Sequence, residues 1–332
     1  MIITRTPFRV SFFGGGTDYP AWYRENSGSV LATSIDKYCY ITCRNLPPFF
    51  EHKHRVVYSY IETVMDIKEI KHPAVRAIFE SMVIKDGLEI HHDGDLPARS
   101  GLGSSSAFTV GLIHALRAME GRYISKHDLA KEAIEIEQNV IKEHVGSQDQ
   151  VSTAYGGFNR IDFNRNGSFD VLPVVLPESR SRELQDHLML FFTGISRIAT
   201  EVAKSKIDNI KNRTKELKQM HQMVDHALEI LGNLEVPIED FGKLLGESWQ
   251  YKRNLSDRVT TPEIDSIYEA ALKAGATGGK LLGAGGGGFL LLFVKPELQN
   301  KVIQELEGFV HVPFKFETSG SKVALYQPSG LN

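Results

Sequence analysis

The sequence predicts an α+β protein of two domains. Strand patterns dominate the first hundred residues, long helical patterns fill most of the second half, and the chain closes on a strand, helix, strand, strand order. With 332 residues, 42% hydrophobic and 24% charged, the composition is globular and the chain long enough for two cores.

Each element has its own signal. Residues 2–13, 29–44, 55–59 and 87–92 read as strands. Between two of them, 45–54 (NLPPFFEHKH) is a Pro-aromatic loop suited to be a lid. Ala107 to Met119 are apolar at helical spacing, and 125–144 reads as a helix with Ser125 and Asp128 in a capping box. The loop HVGSQDQ then leads to strand and turn signals over 156–175. Two prolines among polar residues at 173–181 mark a boundary and divide the chain into domains of 1–180 and 181–332. The second domain opens with a strand at 187–192, followed by helical stretches at 198–232 and 238–255 and a third helix from Pro262. After a glycine run at 283–288 come a strand (289–294), a helix (296–307) and two strands (309–316, 321–326), read as one layer with helices on one face.

The net charge of −3 supplies no basic field for nucleic acid or an anionic membrane. No apolar run reaches transmembrane length, and the N-terminal MIITRTPFRVSFF reads as a strand rather than a signal peptide. Cys39 and Cys43 would share a strand face about 13 Å apart, too far for a disulfide. With His52 and His54 nearby a zinc site is conceivable, but two reduced core thiols are the simpler reading, and the whole fits a cytoplasmic protein. Nothing in the sequence indicates a homo-oligomer.

The most informative stretch is DLPARSGLGSSSA, residues 95–107. Gly101 and Gly103 bracket Leu102, and Ser104, Ser105 and Ser106 lead into the helix. A glycine-serine loop running into a helix N-terminus makes an anion site, because its backbone approaches closely and the unpaired amides of the first turn face the ligand. Serine hydroxyls add donors or a ligand for the Mg²⁺ that accompanies a nucleotide.

Two other glycine patterns mislead. GAGGGG at 283–288 fits G-x-G-x-x-G, but it precedes a strand instead of opening a helix, and the segment before it is not a clear strand. AGATGGKL approaches a Walker loop but has Leu281 where the metal-binding hydroxyl belongs. What remains is backbone that must pack tightly on a ligand or another loop. A further motif, GGGTD at 14–18, places Asp18 at a strand end, either to accept from sugar hydroxyls or to cap a tight turn.

Glu137 stands out within its helix, since its neighbours at i−4, i−3, i+3 and i+4 are Ala133, Ile134, Val140 and Ile141. A carboxylate on an apolar face is costly unless paired with a cation or hydrogen bonds, and a metal ion would resolve this. Asp149 follows twelve residues on, in reach if the loop folds back. Glu137 for Mg²⁺ and Asp149 for an acceptor hydroxyl would make a phosphoryl-transfer pair; a salt bridge and a loop cap are the alternatives.

Taken together these residues resemble the GHMP kinase family, whose three motifs occur here in order: TPFRVSFFGGGTDYP at 6–20, PARSGLGSSSA at 97–107 and KLLGAGGGGF at 280–289. The resemblance implies an N-terminal α/β domain with a left-handed βαβ crossover, a ferredoxin-like C-terminal domain and an active site in the cleft between them. It implies ATP and Mg²⁺ as cofactors, with Pro97, Ser100, Gly101, Leu102, Gly103, Ser104, Ser105 and Ser106 on the nucleotide, Ser105 and Glu137 on the metal, Asp149 as catalytic aspartate and Arg9 facing it. Gly15, Gly16, Thr17 and Asp18 would hold the sugar, with Gly285 and Gly286 of the third motif also on the substrate. Gly15 and Gly16 stand where galactokinases have a Glu-His pair that helps to hold galactose, which speaks against that sugar. GGGTDYP, SGSVLATSIDKYCYI and WQYKRNLS are most similar to the D-glycero-D-manno-heptose 7-phosphate kinases, which phosphorylate the anomeric hydroxyl in making precursors of bacterial surface polysaccharide. A fucokinase-like or other sugar 1-kinase is the nearest rival, and a kinase-like sugar sensor or a dehydrogenase represents other classes. A sugar phosphate acceptor would need cations beyond those serving ATP, and Lys252, Arg253 and Lys280 are the candidates, unless they are solvated helix charges.

Overall fold

The computed structural model describes residues 1–98, 100–195 and 199–328, without the side chains of 199 and 200. The chain adopts the expected α+β class, with its strands in two sheets. In the first, β1 (Ile2–Phe13) runs antiparallel to the long β2 (Gly28–Asn45). The hairpin of β3 (His54–Val57) and β4 (Ile61–Val64) joins through β5 (Leu88–Gly94), which is parallel to β3 and antiparallel to β2. The other end of β2 pairs with β6 (Phe158–Phe163), which carries β7 (Phe169–Pro173). β2 can serve so many neighbours because it is 18 residues long and buried over its first eight. The Pro-aromatic loop before β3 leaves Phe49 exposed.

The second sheet is antiparallel. Its order is β11 (Val310–His311), β8 (Leu188–Phe192), β10 (Phe289–Val294) and β9 (Ala276–Leu281). The last two strands correct the expected single closing layer. β12 (Phe316–Glu317) and β13 (Lys322–Tyr326) return to the first sheet, against β2 and β1. Hydrophobic periodicity gives a strand but not its partner, which is why the sequence placed them in the nearer sheet.

Helices fill the faces. The chain makes α1 (Pro20–Asn26), α2 (Pro73–Ser81), α3 (Ser104–Met119), α4 (Lys126–Glu135), α5 (Gln148–Tyr155) and α6 (Glu178–Asp186). α3 lies on β1 and β2 and buries eleven of its sixteen residues. The helix expected over 125–144 ends earlier: Ser125 caps it, and after α4 the backbone widens into a π-turn at Ile136–Val140. The stretch expected over 198–232 is broken at Arg213 into α7 (Ala199–Asn209) and α8 (Thr214–Gly232). α9 (Glu239–Arg253), α10 (Pro262–Ala274) and α11 (Gln299–Glu305) complete the second half.

The two halves share one core. Phe12 and Phe13 of β1 stand 5.4 and 5.1 Å, centroid to centroid, from Phe241 of α9, edge to face. Cys39 and Cys43 are buried free thiols in this core. Among the described residues no helix is long and apolar enough to cross a membrane.

Candidate active site

The phosphate loop stands where β1, α3 and the third glycine motif meet. Gly101 and Gly103 have φ of +86° and +76°, in the left-handed region that side chains rarely adopt. Gly103 is the N-cap of α3, so the amides of the following serines open the helix end toward the cleft. Leu102 is buried and its carbonyl accepts from the Arg9 amide at 3.0 Å, while Pro97 is exposed on the approach. Ser100 is buried; its carbonyl accepts from Phe289 N at 3.1 Å and its hydroxyl has no partner among the described residues.

The third glycine motif packs on other loops, which removes one of its two expected roles. A Cβ on Gly283 would stand 2.4 Å from Gly101 Cα, one on Gly288 2.2 Å from Ser100 O, and one on Gly287 2.3 Å from Ile195 O. Gly285 and Gly286, expected on the substrate, instead face Val259: a Cβ on Gly285 would lie 2.7 Å from its carbonyl, which accepts from Gly286 N at 2.8 Å. The run is the turn of the β9–β10 hairpin. The preceding ATGGKL is a strand after all, and no helix follows in the manner a dinucleotide fold requires.

At the end of the phosphate loop lies the expected Arg9–Asp149 pair. Arg9 Nε and Nη2 donate to Asp149 Oδ1 and Oδ2, each at 2.8 Å, and Nη1 donates to Gly101 O at 2.7 Å. Arg9 therefore ties the carboxylate to the loop in bidentate geometry. The Arg9 side chain is 3% exposed and that of Asp149 is 27% exposed, so the carboxylate keeps one side open to the cleft. Gly103 borders the pair, since a Cβ there would be 3.3 Å from Arg9 Cγ and 3.5 Å from Asp149 Oδ2.

Asp18 forms the neighbouring wall. Its Oδ1 accepts from Gly16 N at 2.8 Å and its Oδ2 from Gln148 Nε2 at 3.1 Å. Burial pushes its pKa up, and the Asp149 charge adds to the shift. Gly146 admits this carboxylate, since a Cβ there would lie 1.8 Å from Asp18 Oδ2. Gly15 leaves space between Gln148 Nε2 and Ser11 Oγ, each 3.7 Å from where its Cβ would be. Thr17 is corrected to a structural role: its hydroxyl donates toward Gly14 O and Ser29 O at 2.8 and 2.9 Å and is buried in the turn.

The three cations expected on a distal phosphate are also corrected, because each has another partner. Lys252 is buried and its Nζ donates to Leu281 O and Gly283 O at 2.6 and 2.7 Å, fastening the third motif. Lys280 is buried and donates to Phe12 O at 2.7 Å. Arg253 pairs with Asp265 at 2.8 Å. The sequence puts Lys252 and Arg253 on a helix expected to face the cleft, but does not show that Lys252 turns inward.

Lys206 of α7 was missed. It is buried, its Nζ stands 5.4 Å from the Tyr19 ring centroid, and its charge is felt by Asp18. Desolvation lowers its pKa to about 8 against the pull of Asp18 and Asp149, and lowers that of Lys280 to about 7. The signal existed: its i−4, i−3 and i+4 neighbours are Val202, Ala203 and Ile210, the same anomaly that exposed Glu137. Gln148 and Ser11 were missed as well, since nothing in a sequence shows that a polar atom lacks a partner.

Glu137 lies in the π-turn, 1% exposed. Its Oε2 accepts from Ser106 Oγ at 2.9 Å and from Gln150 Nε2, while Oε1 is buried without a partner. Burial raises its pKa to about 7, against the hydrogen bonds from Ser106 and Gln150, and no cation pairs with it among the described residues. Among the described residues the salt-bridge alternative finds no partner. Ser105, expected beside Glu137, is exposed, and Ser106 makes the contact. One helical step turns a side chain by about 100°, which carries Ser106 inward and leaves Ser105 at the loop mouth.

Residues 67–157 match the GHMP kinases N terminal domain, and residues 234–311 match GHMP kinases C terminal. A D-glycero-alpha-D-manno-heptose 7-phosphate kinase of Campylobacter jejuni is 32% identical, over 97% of this chain and 98% of its own. A bifunctional fucokinase/GDP-fucose pyrophosphorylase of Arabidopsis thaliana is 26% identical over 90% of this chain and 30% of its own. Among solved structures, a D-glycero-D-manno-heptose 1-phosphate kinase from Bacteroides thetaiotaomicron superposes with a TM-score of 0.80 at 22% identity, over 98% of this chain and 100% of its own. Likeness over nearly the full length of both chains, with both family regions matched in order, settles the descent: this chain belongs to the GHMP kinases, ATP-dependent phosphotransferases.

Proposed function

We propose that the protein transfers the γ-phosphate of ATP to the anomeric hydroxyl of D-glycero-D-manno-heptose 7-phosphate, giving the 1,7-bisphosphate. The observation that carries the chemistry is the Arg9-clamped Asp149 at the end of the phosphate loop, beside the Asp18 pocket. The likeness to the Campylobacter jejuni heptose 7-phosphate kinase supports the choice of acceptor. The chain divides near residue 180 into the phosphate-binding half and a C-terminal half, and we assign the reaction to the cytoplasm, where ATP is supplied.

Phosphoryl transfer needs placement more than covalent help. The amides at the start of α3 and the loop glycines receive the phosphates. The acceptor sugar lies against Asp18, with its anomeric oxygen at the open side of Asp149. That oxygen forms the new bond to the γ-phosphorus as the bond from the γ-phosphorus to the β,γ-bridging oxygen breaks, and ADP leaves. Asp149 orients the hydroxyl and takes its proton, while Arg9 fixes the carboxylate's direction.

The residues fit a nucleotide-borne Mg²⁺. Glu137 offers a buried oxygen with no partner and Ser105 stands at the loop mouth, so these two would hold the ion, with Ser106 and Gln150 fixing the other oxygen of Glu137. No cluster of three or more His, Cys, Asp or Glu side chains exists among the described residues, which suits an ion held chiefly by phosphates and water. When bound, the ion neutralises charge on the phosphates.

The test is product analysis by phosphorus NMR with ATP, Mg²⁺ and a panel of heptose 7-phosphate, unphosphorylated heptose, fucose and galactose. A new anomeric phosphate on the heptose, with the highest kcat/KM on heptose 7-phosphate, is the expected result. Preference for fucose or galactose overturns the acceptor but not the kinase.

A further inference from the structure

We propose that Lys206 is the cation that binds the acceptor's own phosphate, the group remote from the transferred one. The inference rests on the acceptor being a sugar phosphate.

Lys206 comes from α7, in the opposite half of the chain from Asp18 and Asp149, and is 6% exposed. Its ammonium carries three donors, yet among the described residues it meets only the Tyr19 ring face, at 5.4 Å from the centroid, and no hydrogen-bond acceptor. A mostly buried side chain that holds its ammonium away from any protein acceptor would gain from a ligand oxygen. The pocket it faces has other groups waiting. Ser11 Oγ and Gln148 Oε1 are buried without partners among the described residues, and Ser11 Oγ and Gln148 Nε2 each lie 3.7 Å from where a Gly15 Cβ would be. These and Asp18 suit sugar hydroxyls, and none of them carries a positive charge for an anion.

The charges around the pocket point the same way. Arg9, Lys206, Lys252 and Lys280 oppose only Asp18 and Asp149. Arg9 is taken by Asp149, and Lys252 and Lys280 by backbone carbonyls. Among the described residues Lys206 alone of the four has its donors free, and a cation with free donors suits an anionic acceptor. Asp18 and Asp149 oppose this charge, Asp149 already being clamped by Arg9.

The full-length enzyme and its Lys206→Met and Lys206→Arg variants are compared by ADP release on heptose 7-phosphate and on unphosphorylated heptose. Lys206→Met is expected to lower kcat/KM on heptose 7-phosphate by about 10–100-fold, mainly through KM, for the loss of a charge-assisted contact. Heptose should change by less than about threefold, and Lys206→Arg should recover most of the loss. Inorganic phosphate should inhibit the wild type competitively against heptose 7-phosphate, and Lys206→Met should relieve this. Equal losses on both acceptors, or an unchanged preference for the phosphorylated one, overturn the role of Lys206 and leave the acceptor reading standing. A wild type with no preference for the phosphorylated sugar overturns the acceptor reading, and this inference with it. If Lys206→Met does not fold, Lys206→Arg and the phosphate inhibition of the wild type decide: inhibition that is not competitive with the acceptor overturns the proposal.

Discussion

The phosphate side and the acceptor side of the cleft are built from different materials. The phosphate side is backbone: glycines at 101, 103, 283 and 288 let three chain segments come within contact distance, and helix amides supply the donors. The acceptor side is side chain: Arg9, Asp18, Gln148, Asp149 and Lys206 converge from three distant segments into a buried polar cluster. A backbone site tolerates almost no added atom but carries little charge of its own. A side-chain site tolerates changes of shape but depends on each charge being balanced. Substitutions should therefore fail in different ways on the two sides.

The sharpest break is expected at Asp149. Asp149→Asn should keep nucleotide affinity, measured by calorimetry, while lowering kcat by about 10²–10⁴, the range for loss of a general base. Turnover within threefold of the wild type would remove Asp149 from the chemistry.

Gly283→Ala probes the backbone side. The added methyl would meet Gly101 Cα at 2.4 Å, and φ is +66°, so the phosphate loop must shift. KM for ATP should rise by about tenfold or more, with a stability loss of about 1–3 kcal/mol from strain. A variant with wild-type KM for ATP and an unchanged melting temperature would show that the two loops do not hold each other in place.

Glu137→Gln separates function from stability. A carboxyl raised to about 7 by burial destabilises the fold once it ionises, so the amide should melt higher at pH 8, by an amount corresponding to about 1–3 kcal/mol. The Mg²⁺ concentration for half-maximal rate should rise several-fold, because a neutral oxygen binds the ion less well. An unchanged Mg²⁺ titration would return Glu137 to a structural role.

The cationic side of the pocket should show in the pH dependence of stability. Lys280 and Lys206 have folded pKa values of about 7 and about 8, below the usual lysine value, so between about pH 7 and 9.5 the folded chain binds fewer protons than the unfolded one. Stability from these groups therefore rises with pH through that window. Lys280→Met should flatten the rise in a series of urea melts; a rise of equal slope in the variant would show that Lys280 does not titrate there.

The smallest effect is expected at Arg253. Its pair with Asp265 is partly exposed, so Arg253→Ala should cost about 0.2–1 kcal/mol and leave acceptor KM within twofold. A tenfold rise in that KM would restore it to the acceptor site.

The same contrast explains how far the sequence could be read. The backbone side was legible because glycine at a strained position has no substitute, and several in a run announce close packing even before the partner is known. The chemistry of Arg9, Asp18, Glu137 and Asp149 was legible through the family pattern, and Glu137 also through its apolar neighbours. The acceptor side was mostly hidden. Whether Lys252 faces solvent or a carbonyl depends on how α9 sits on β9, where Gly278 lets the helix backbone come so close that a Cβ would lie 2.0 Å from Gly242 O. Lys206 carried a readable signal, but the helix around it was taken as one long element instead of two. The return of β12 and β13 to the first sheet was invisible because strand pairing is a long-range choice that local pattern does not encode.

That return governs how the cleft can move. The chain leaves the first sheet after β7 and rejoins it at β12, so two covalent connections, not one, tie the second half to the first. A body held by a single tether can swivel in any direction, whereas one held at two points turns about the line between them. Any relative movement of the two halves is thereby restrained at two points of the chain, in addition to the packing of Phe12 and Phe13 on Phe241.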